Sequence, residues 1–428
     1  MAARAVASLC EFLYHELNAP RDYRKRRDPA LVRQYIFTAV EKAVDRFEHH
    51  RRQEFVEAFL ILARPEDGVL KSALSDQHSA VHAATTNVLT HSQRQGVMKL
   101  LLRILDDSIA PAAVLAVLAR RCDAVFLRVL FQKFSEELSP QLKANCRKLD
   151  GFAWLRDDLE FLRDLSDEEM RGALQLVLSS GVSRLRAFDV LKFVLRNGGP
   201  LSRRVASAAL TTFKGNAANE LVLSAAEDPD PEVQSNSVRQ LRDRGIPGVM
   251  SRLVELIDSP HEIVREAARQ SLSEFNFKRY LSAFEILQPE VRICSGGLVT
   301  RIDPNAIEEL RSELCAASRA RRLRGIEVAI AMGVVPQVEA QLLDLAQDSD
   351  HFVRAEAARS LVHCDSEKSR KLLDELLNDH SLSVQEAAKQ ATEQLKLNLP
   401  RARANAQPAL PRFDSTAFAA FPRSEATP

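Results

Sequence analysis

The segment Asp348-Ser349-Asp350-His351-Phe352-Val353-Arg354-Ala355-Glu356-Ala357-Ala358-Arg359-Ser360-Leu361 returns, degraded but in register, as Asp379-His380-Ser381-Leu382-Ser383-Val384-Gln385-Glu386-Ala387-Ala388-Lys389-Gln390. The offset is about 31 residues, and it constrains the fold more than any other feature of the chain. A unit this short cannot bury its own apolar face, so copies must stack and share one continuous core. The 428 residues exceed a typical single-core domain, yet no strong midpoint break in composition marks two globular halves. An elongated array is therefore expected.

Steps of about 30 residues back from Val353 and Val384 reach Leu323, Val291, Val264, Val233 and Val205, each opening a run of small and aliphatic residues. In four units arginine follows the anchor, as Arg265, Arg292, Arg324 and Arg354. Eight positions beyond the anchors stand Leu241, Leu272, Val299, Ala331 and Leu361. Eight residues is about two turns, so anchor and follower share one buried helix face. Val81 repeats the pattern upstream, and intermediate copies are expected near Ala112, Leu142 and Leu174, giving about eleven units. Leu-rich segments such as Val97 to Leu105, Trp154 to Leu165 and Leu372 to Leu377 supply a partner helix to each anchored one. Acidic residues five positions before an anchor, Asp228, Asp348 and Asp379 among them, are placed to accept the free N–H groups of a helix N-terminus. With only 14 glycines and 6% aromatics, and little strand-like alternation, the chain reads as all-α, a right-handed α-solenoid of helical hairpins.

The core pattern D-x-x-x-x-V-R-x-x-A-A-x-x-L, as it stands from Asp348 to Leu361, resembles HEAT repeats, most closely the short bacterial type also seen in phycobilin-lyase-like repeat proteins. The resemblance covers about Leu60 to Leu397. It implies that the turn Asp and the Arg after the anchor form a ladder between neighbouring repeats, which gives Arg265, Arg292, Arg324 and Arg354, with Asp228, Asp348 and Asp379, a structural role. Gln234, Gln385, His82 and Ala206 stand at the arginine position in other units. The family label implies an architecture and leaves function open, because HEAT arrays serve as adaptors, lyases, hydroxylases and nucleic-acid binders alike.

Residues 1–59 are expected to form an N-terminal helical cap, 60–398 the array, and 399–428 a disordered Pro/Ala-rich tail. Within that tail Phe413, Phe418 and Phe421 stand in a polar, proline-flanked stretch. It is open to three readings: a docking peptide, a cap on the last repeat, or plain disorder.

The 59 basic and 58 acidic residues leave a formal charge of +1, so no global field recruits nucleic acid or anionic membrane. Six cysteines without C-x-x-C pairing suit a reducing compartment, read as the cytoplasm, and no apolar run approaches the ~20 residues that span a bilayer. Deoxyhypusine hydroxylases are HEAT-like iron enzymes with His-Glu pairs just after the Val-Arg positions. Here His15-Glu16 and His261-Glu262 fall elsewhere, and Glu266, Ala355 and Glu386 occupy the expected sites. No metal, cofactor or catalytic constellation is assigned. His78 and His82 share the i, i+4 spacing of zinc ligands but lack an evident third ligand. Arginine clusters at 24–27, 51–52, 203–204 and 319–324 keep nucleic-acid binding as the alternative, and a subunit of a lyase-type enzyme is the third reading. The leading expectation is a non-catalytic scaffold binding a protein partner on a concave face. The pairs Glu266 with Arg269, Glu356 with Arg359 and Glu386 with Lys389 are its candidate contacts, spaced three apart and able to support their own helices. Phe413, Phe418 and Phe421 join them as candidates.

Overall fold

The computed structural model describes residues 2–19, 28–155, 158–364 and 366–398. Among them lie twenty-five α-helices, six 3-10 turns and no strand. The all-α solenoid expected from the repeat is the architecture found. The chain divides into two compact units, residues 1–225 and 226–428, each built of helices stacked on their sequence neighbours.

In the first unit the helices Ala2–Asn18 and Pro29–Asp45 both pack on Gln53–Leu62. The last turns of that helix are buried continuously, from Ala58 to Leu62. The expected boundary between cap and array near residue 59 thus falls inside one helix. The helices Ala124–Phe134 and Asp167–Ser179 cross in close contact because position 172 is glycine: a Cβ there would stand 1.8 Å from the Phe131 carbonyl oxygen. The segment from Trp154 to Leu165 is not the expected helix. It holds two 3-10 turns, Ala153–Leu155 and Glu160–Asp164, as suits a stretch bounded and interrupted by Asp150-Gly151 and Asp157-Asp158. Trp154 is buried there against Phe131, Phe152 and Phe161.

Arg121 is the largest fully buried side chain of the described residues. Its Nη1 donates to Leu89 O at 2.9 Å and its Nη2 to Ser92 O at 3.1 Å, satisfying carbonyls at the end of the helix Ala80–His91. Its Nε and Nη2 also hold both carboxylate oxygens of Asp123, at 2.9 and 3.1 Å. Asp123 in turn caps the helix Ala124–Phe134 through Phe126 N, and the guanidinium lies 4.1 Å from the Phe126 ring centroid. One arginine therefore ties the end of one repeat to the start of a helix beyond the next. A charge is tolerated at such depth because donors and acceptors are matched.

The second unit contains a row of anchored helices: Pro231–Leu241, Glu262–Ser271, Pro289–Ile302, Arg319–Met332, His351–Ser360 and Leu382–Asn398. Val233, Val264, Val353 and Val384 are fully buried in it, with Ala267-Ala268, Ala357-Ala358 and Ala387-Ala388 behind them. Of the seven anchors reached by stepping back from Val384, three are only partly buried: Val205, Val291 and Leu323. In the helix of Leu323 the packed face is Gly325, Ile326, Val328 and Ala329. In the first unit Val205 likewise yields to Ser202, which is fully buried with Ala206, Ser207 and Leu210. A serine can hold an anchor position because Asp167 accepts from its hydroxyl at 2.6 Å and from its backbone N–H at 3.0 Å.

Candidate functional site

The arginine after each anchor performs a local task first. Arg354 Nη1 donates to the carbonyls of Asp348 and Ser349, at 2.8 and 3.2 Å, bracing the turn that leads into its own helix. Arg322 does the same with Ala316 and Ala317, Arg265 with Ser259 and Pro260, and Arg292 with Leu287 and Glu285. Where glutamine replaces arginine, one carbonyl is still held: Gln234 donates to Ala226 O and Gln385 to Asp379 O. Position, more than charge, is what the turn requires.

A second task links repeats. The Arg354 fork also grips both oxygens of Asp379 at 2.9 Å, and that bond holds the Asp379 carboxyl below its ordinary range. One repeat earlier, Arg322 Nε stands 3.0 Å from Asp348 Oδ2. Arg322, and not the expected Arg324, makes this link, because the dipeptide Leu323-Arg324 imitates the anchor two residues out of register. Arg324 turns instead to Glu313, at 3.6 Å. Arg265 and Arg292 brace only their own turns with the bonds described. Nor do the turn acids cap helices. Asp228, Asp348 and Asp379 each accept from the backbone N–H two residues on, at 2.8 Å, and the caps of Pro231–Leu241 and His351–Ser360 are Asp230 and Asp350.

The arginine cluster at 319–324 is neutralised within the fold. Arg319 pairs with Asp350 at 3.1 Å and stacks on Phe352, Arg321 forks onto Glu313 at 2.6 and 3.1 Å, and Arg322 and Arg324 hold Asp348 and Glu313. Four guanidiniums face three carboxylates, and those bonds keep the Glu313 carboxyl below its usual range. Residues 24–27 lie outside the described residues. His82 Nδ1 stands 2.9 Å from Ala73 O, and no group of three or more metal-ligating side chains occurs among the described residues. No described helix is long and apolar enough to cross a membrane.

Of the three expected helix pairs only Glu356 and Arg359 close an ion pair. Glu386 and Lys389 are both exposed and form no ion pair among the described residues. Glu266 accepts from Gln270 at 3.1 Å, leaving Arg269 with no hydrogen bond or ion pair among the described residues and with its Nε shielded from solvent. Phe413, Phe418 and Phe421 lie outside the described residues.

Arg269 marks an interruption in the row. Pro231–Leu241 packs on Glu262–Ser271, and the helices from Pro289–Ile302 onward pack each on the next, but between Glu262–Ser271 and Pro289–Ile302 the backbones stand apart. A cleft of about 400 Å³ opens there, lined by Glu266, Arg269 and Gln270 on one side and by Ile302, Asp303 and Asn305 on the other. Its far wall is fixed by Asp303, which accepts from Phe277 N and Asn305 N at 3.0 and 2.9 Å. Its walls mix charged and amide side chains with apolar surface from Ile302, Pro304 and the stems of longer side chains. A neighbouring depression of about 390 Å³ shares Gln270 and Ser273 and continues past Arg239 and Arg242.

Residues 189–273 match the family model for HEAT repeats. That stretch carries HEAT repeats. The matched stretch includes the buried anchors Val233 and Val264 and the turn braced by Arg265, so the residues that fix the HEAT hairpins are those that the geometry shows holding them. No curated protein matches the chain. Sequence reading missed Arg121, whose neighbour Arg120 is an exposed residue of the same type, and it missed the cleft, which is a lapse in packing and has no motif.

Proposed function

We propose that the chain is a non-catalytic HEAT scaffold that binds a protein partner along the exposed side of the helix row in its second unit. The observation that carries this reading is the contrast within each helix: Val and Ala positions are sealed in the core, while Arg239, Glu266, Arg269, Glu386 and Lys389 stand outside it without closing ion pairs to one another. Such side chains on a rigid support are suited to recognition. Nucleic-acid binding is the weaker reading, because the arginines at 319–324 spend their charge on Glu313, Asp348 and Asp350, and phosphate binding requires free cations.

The test is affinity purification of the tagged chain from its native lysate with nuclease present, beside a variant carrying Arg269→Glu and Lys389→Glu. A defined protein that survives nuclease and is lost from the variant is the expected result. Co-elution that disappears with nuclease, or a partner indifferent to both substitutions, would count against this surface.

A further inference from the structure

Three arginines of the first unit meet at one small depression with no carboxylate in its lining. It measures about 220 Å³ and is lined by Tyr14, Asn18, Arg33, Arg64 and Arg103 together with the end of the helix Gln53–Leu62. Arg33 is partly buried, donates from Nη2 to Leu62 O at 2.6 Å and lies 4.9 Å from the Phe37 ring centroid. Arg64 and Arg103 are exposed, and their guanidiniums close no hydrogen bond or ion pair among the described residues. Burial and then the charge of Arg64 hold the Arg33 guanidinium below its ordinary pKa, with Asp67 and Glu66 pulling the other way. Burial raises the Tyr14 phenol, Arg103 lowers it and Glu11 adds to the rise, so the third guanidinium lies close to that hydroxyl.

The last turns of three helices, Ala2–Asn18, Gln53–Leu62 and Gln95–Leu105, converge here through Asn18, Leu62 and Arg103. One use of the arginines is to offset those C-termini, but about 1.5 negative charges then meet three positive ones. The carbonyls of Tyr14 and Phe59 are already taken by Asn18 Nδ2 and Ala63 N, at 2.7 and 2.9 Å. Glu66 and Asp67 stand outside the lining, and Asp67 is turned to the Arg64 backbone N–H at 2.6 Å. At the depression itself the surplus is positive.

We propose that this depression binds a phosphate group, with Arg33, Arg64 and Arg103 donating to its oxygens and the Tyr14 hydroxyl as a further donor. The site belongs to the first unit alone and does not depend on the protein-binding reading above. A phosphate monoester carries about −1.5 to −2 charge at pH 7 and three acceptor oxygens. It therefore answers three guanidinium forks better than a carboxylate, which has one charge and two oxygens. At about 220 Å³ the depression is smaller than the roughly 300–1,000 Å³ that encloses a drug-sized ligand, so it takes the phosphate and leaves outside whatever bears it. One such pocket is no track for a polynucleotide, whose binding needs many phosphate contacts.

Isothermal titration calorimetry of the full chain at constant ionic strength tests this with inorganic phosphate, a blocked phosphoserine tripeptide and acetate as probes. One saturable site for phosphate is expected, with acetate at least about tenfold weaker. Arg64→Gln and Arg103→Gln should each weaken phosphate by at least about tenfold, the loss of one charge-assisted contact. Arg120→Gln removes the same charge from an exposed arginine of the same unit outside the lining and should leave affinity where it is. Neither pocket arginine holds the fold through a bond, so melting curves of the variants should match wild type. Peptide bound as tightly as phosphate would support the pocket and name a phosphorylated protein as the source; phosphate bound with the peptide excluded would support it and name the free ion. No saturable phosphate binding, acetate bound as well as phosphate, affinity unchanged in both pocket variants, or a loss shared equally by Arg120→Gln would each overturn the inference.

Discussion

Replacing Arg121 with alanine should cost the first unit about 4 kcal/mol. Its side chain is 0% exposed, and four hydrogen bonds of 2.9–3.1 Å leave it. Truncation strands the carbonyls of Leu89 and Ser92, at about 1 kcal/mol each if water reaches them. It removes the charge-assisted fork on Asp123, about 1.5 kcal/mol for a carboxylate that keeps some solvent contact, and the ring contact with Phe126, about 0.5 kcal/mol or more. The sum falls within the roughly 3–5 kcal/mol seen when one partner of a buried ion pair is deleted. The protein carries its own probe: the chain has a single tryptophan, and the turn Ala153–Leu155 that holds it packs on the helix Ala112–Arg120 beside Arg121. With a urea dependence of about 2 kcal/mol per molar, the Trp154 emission transition should move down by about 2 M. Arg120→Ala, one residue earlier and exposed, should leave the midpoint where it is. If Arg121→Ala and Arg120→Ala shift the transition equally, the clamp does not hold the unit together.

Asp379→Asn should destabilise the second unit by about 1.5–3 kcal/mol at neutral pH, the worth of a hydrogen-bonded charged pair. Because the folded carboxyl is held below its ordinary value by Arg354, this contribution is fully present above about pH 4 and is lost as pH falls through the folded value; wild type and variant should converge in acid denaturation followed by circular dichroism. Gly172→Ala must push apart two helices whose backbones already touch at that point, at about 1–3 kcal/mol or more, whereas Gly297→Ala meets no atom within 4 Å and should gain about 0.5–1 kcal/mol inside its helix; thermal melting separates the two. Glu313→Gln uncovers Arg321 and Arg324 and should raise the salt concentration needed to elute the chain from heparin, while unchanged elution would mean that these arginines were never neutralised by Glu313.

The repeat was legible because its anchors are apolar and periodic. Val233, Val264, Val353 and Val384 lie in the core as their spacing requires. Reading failed where chemistry replaced hydrophobicity. Ser202 occupies an anchor by hydrogen bonding to Asp167 in the preceding hairpin, and no window of neighbouring residues displays that partner. Leu323-Arg324 copies the anchor dipeptide but faces the wrong way, so the inter-repeat link fell to Arg322. Burial of Arg121 depends on carbonyls about 30 residues upstream, invisible in the string Arg120-Arg121-Cys122-Asp123. The candidate contacts Glu266 and Arg269 were named for a mutual pairing that does not form; their place beside a break in helix packing could be seen only in three dimensions.

The link between Arg354 and Asp379 makes adjacent repeats grammatical, each demanding a particular letter from its successor. A hairpin inserted after residue 361 would need an acid in its turn to answer Arg354 and an arginine of its own to answer Asp379. Gln385 escapes this rule, since it holds only the Asp379 carbonyl of its own turn and asks nothing of whatever follows. Gene duplication within the array should therefore be tolerated as whole units carrying both halves of the exchange, and grafting of unrelated hairpins should succeed sooner after a glutamine repeat than after an arginine one.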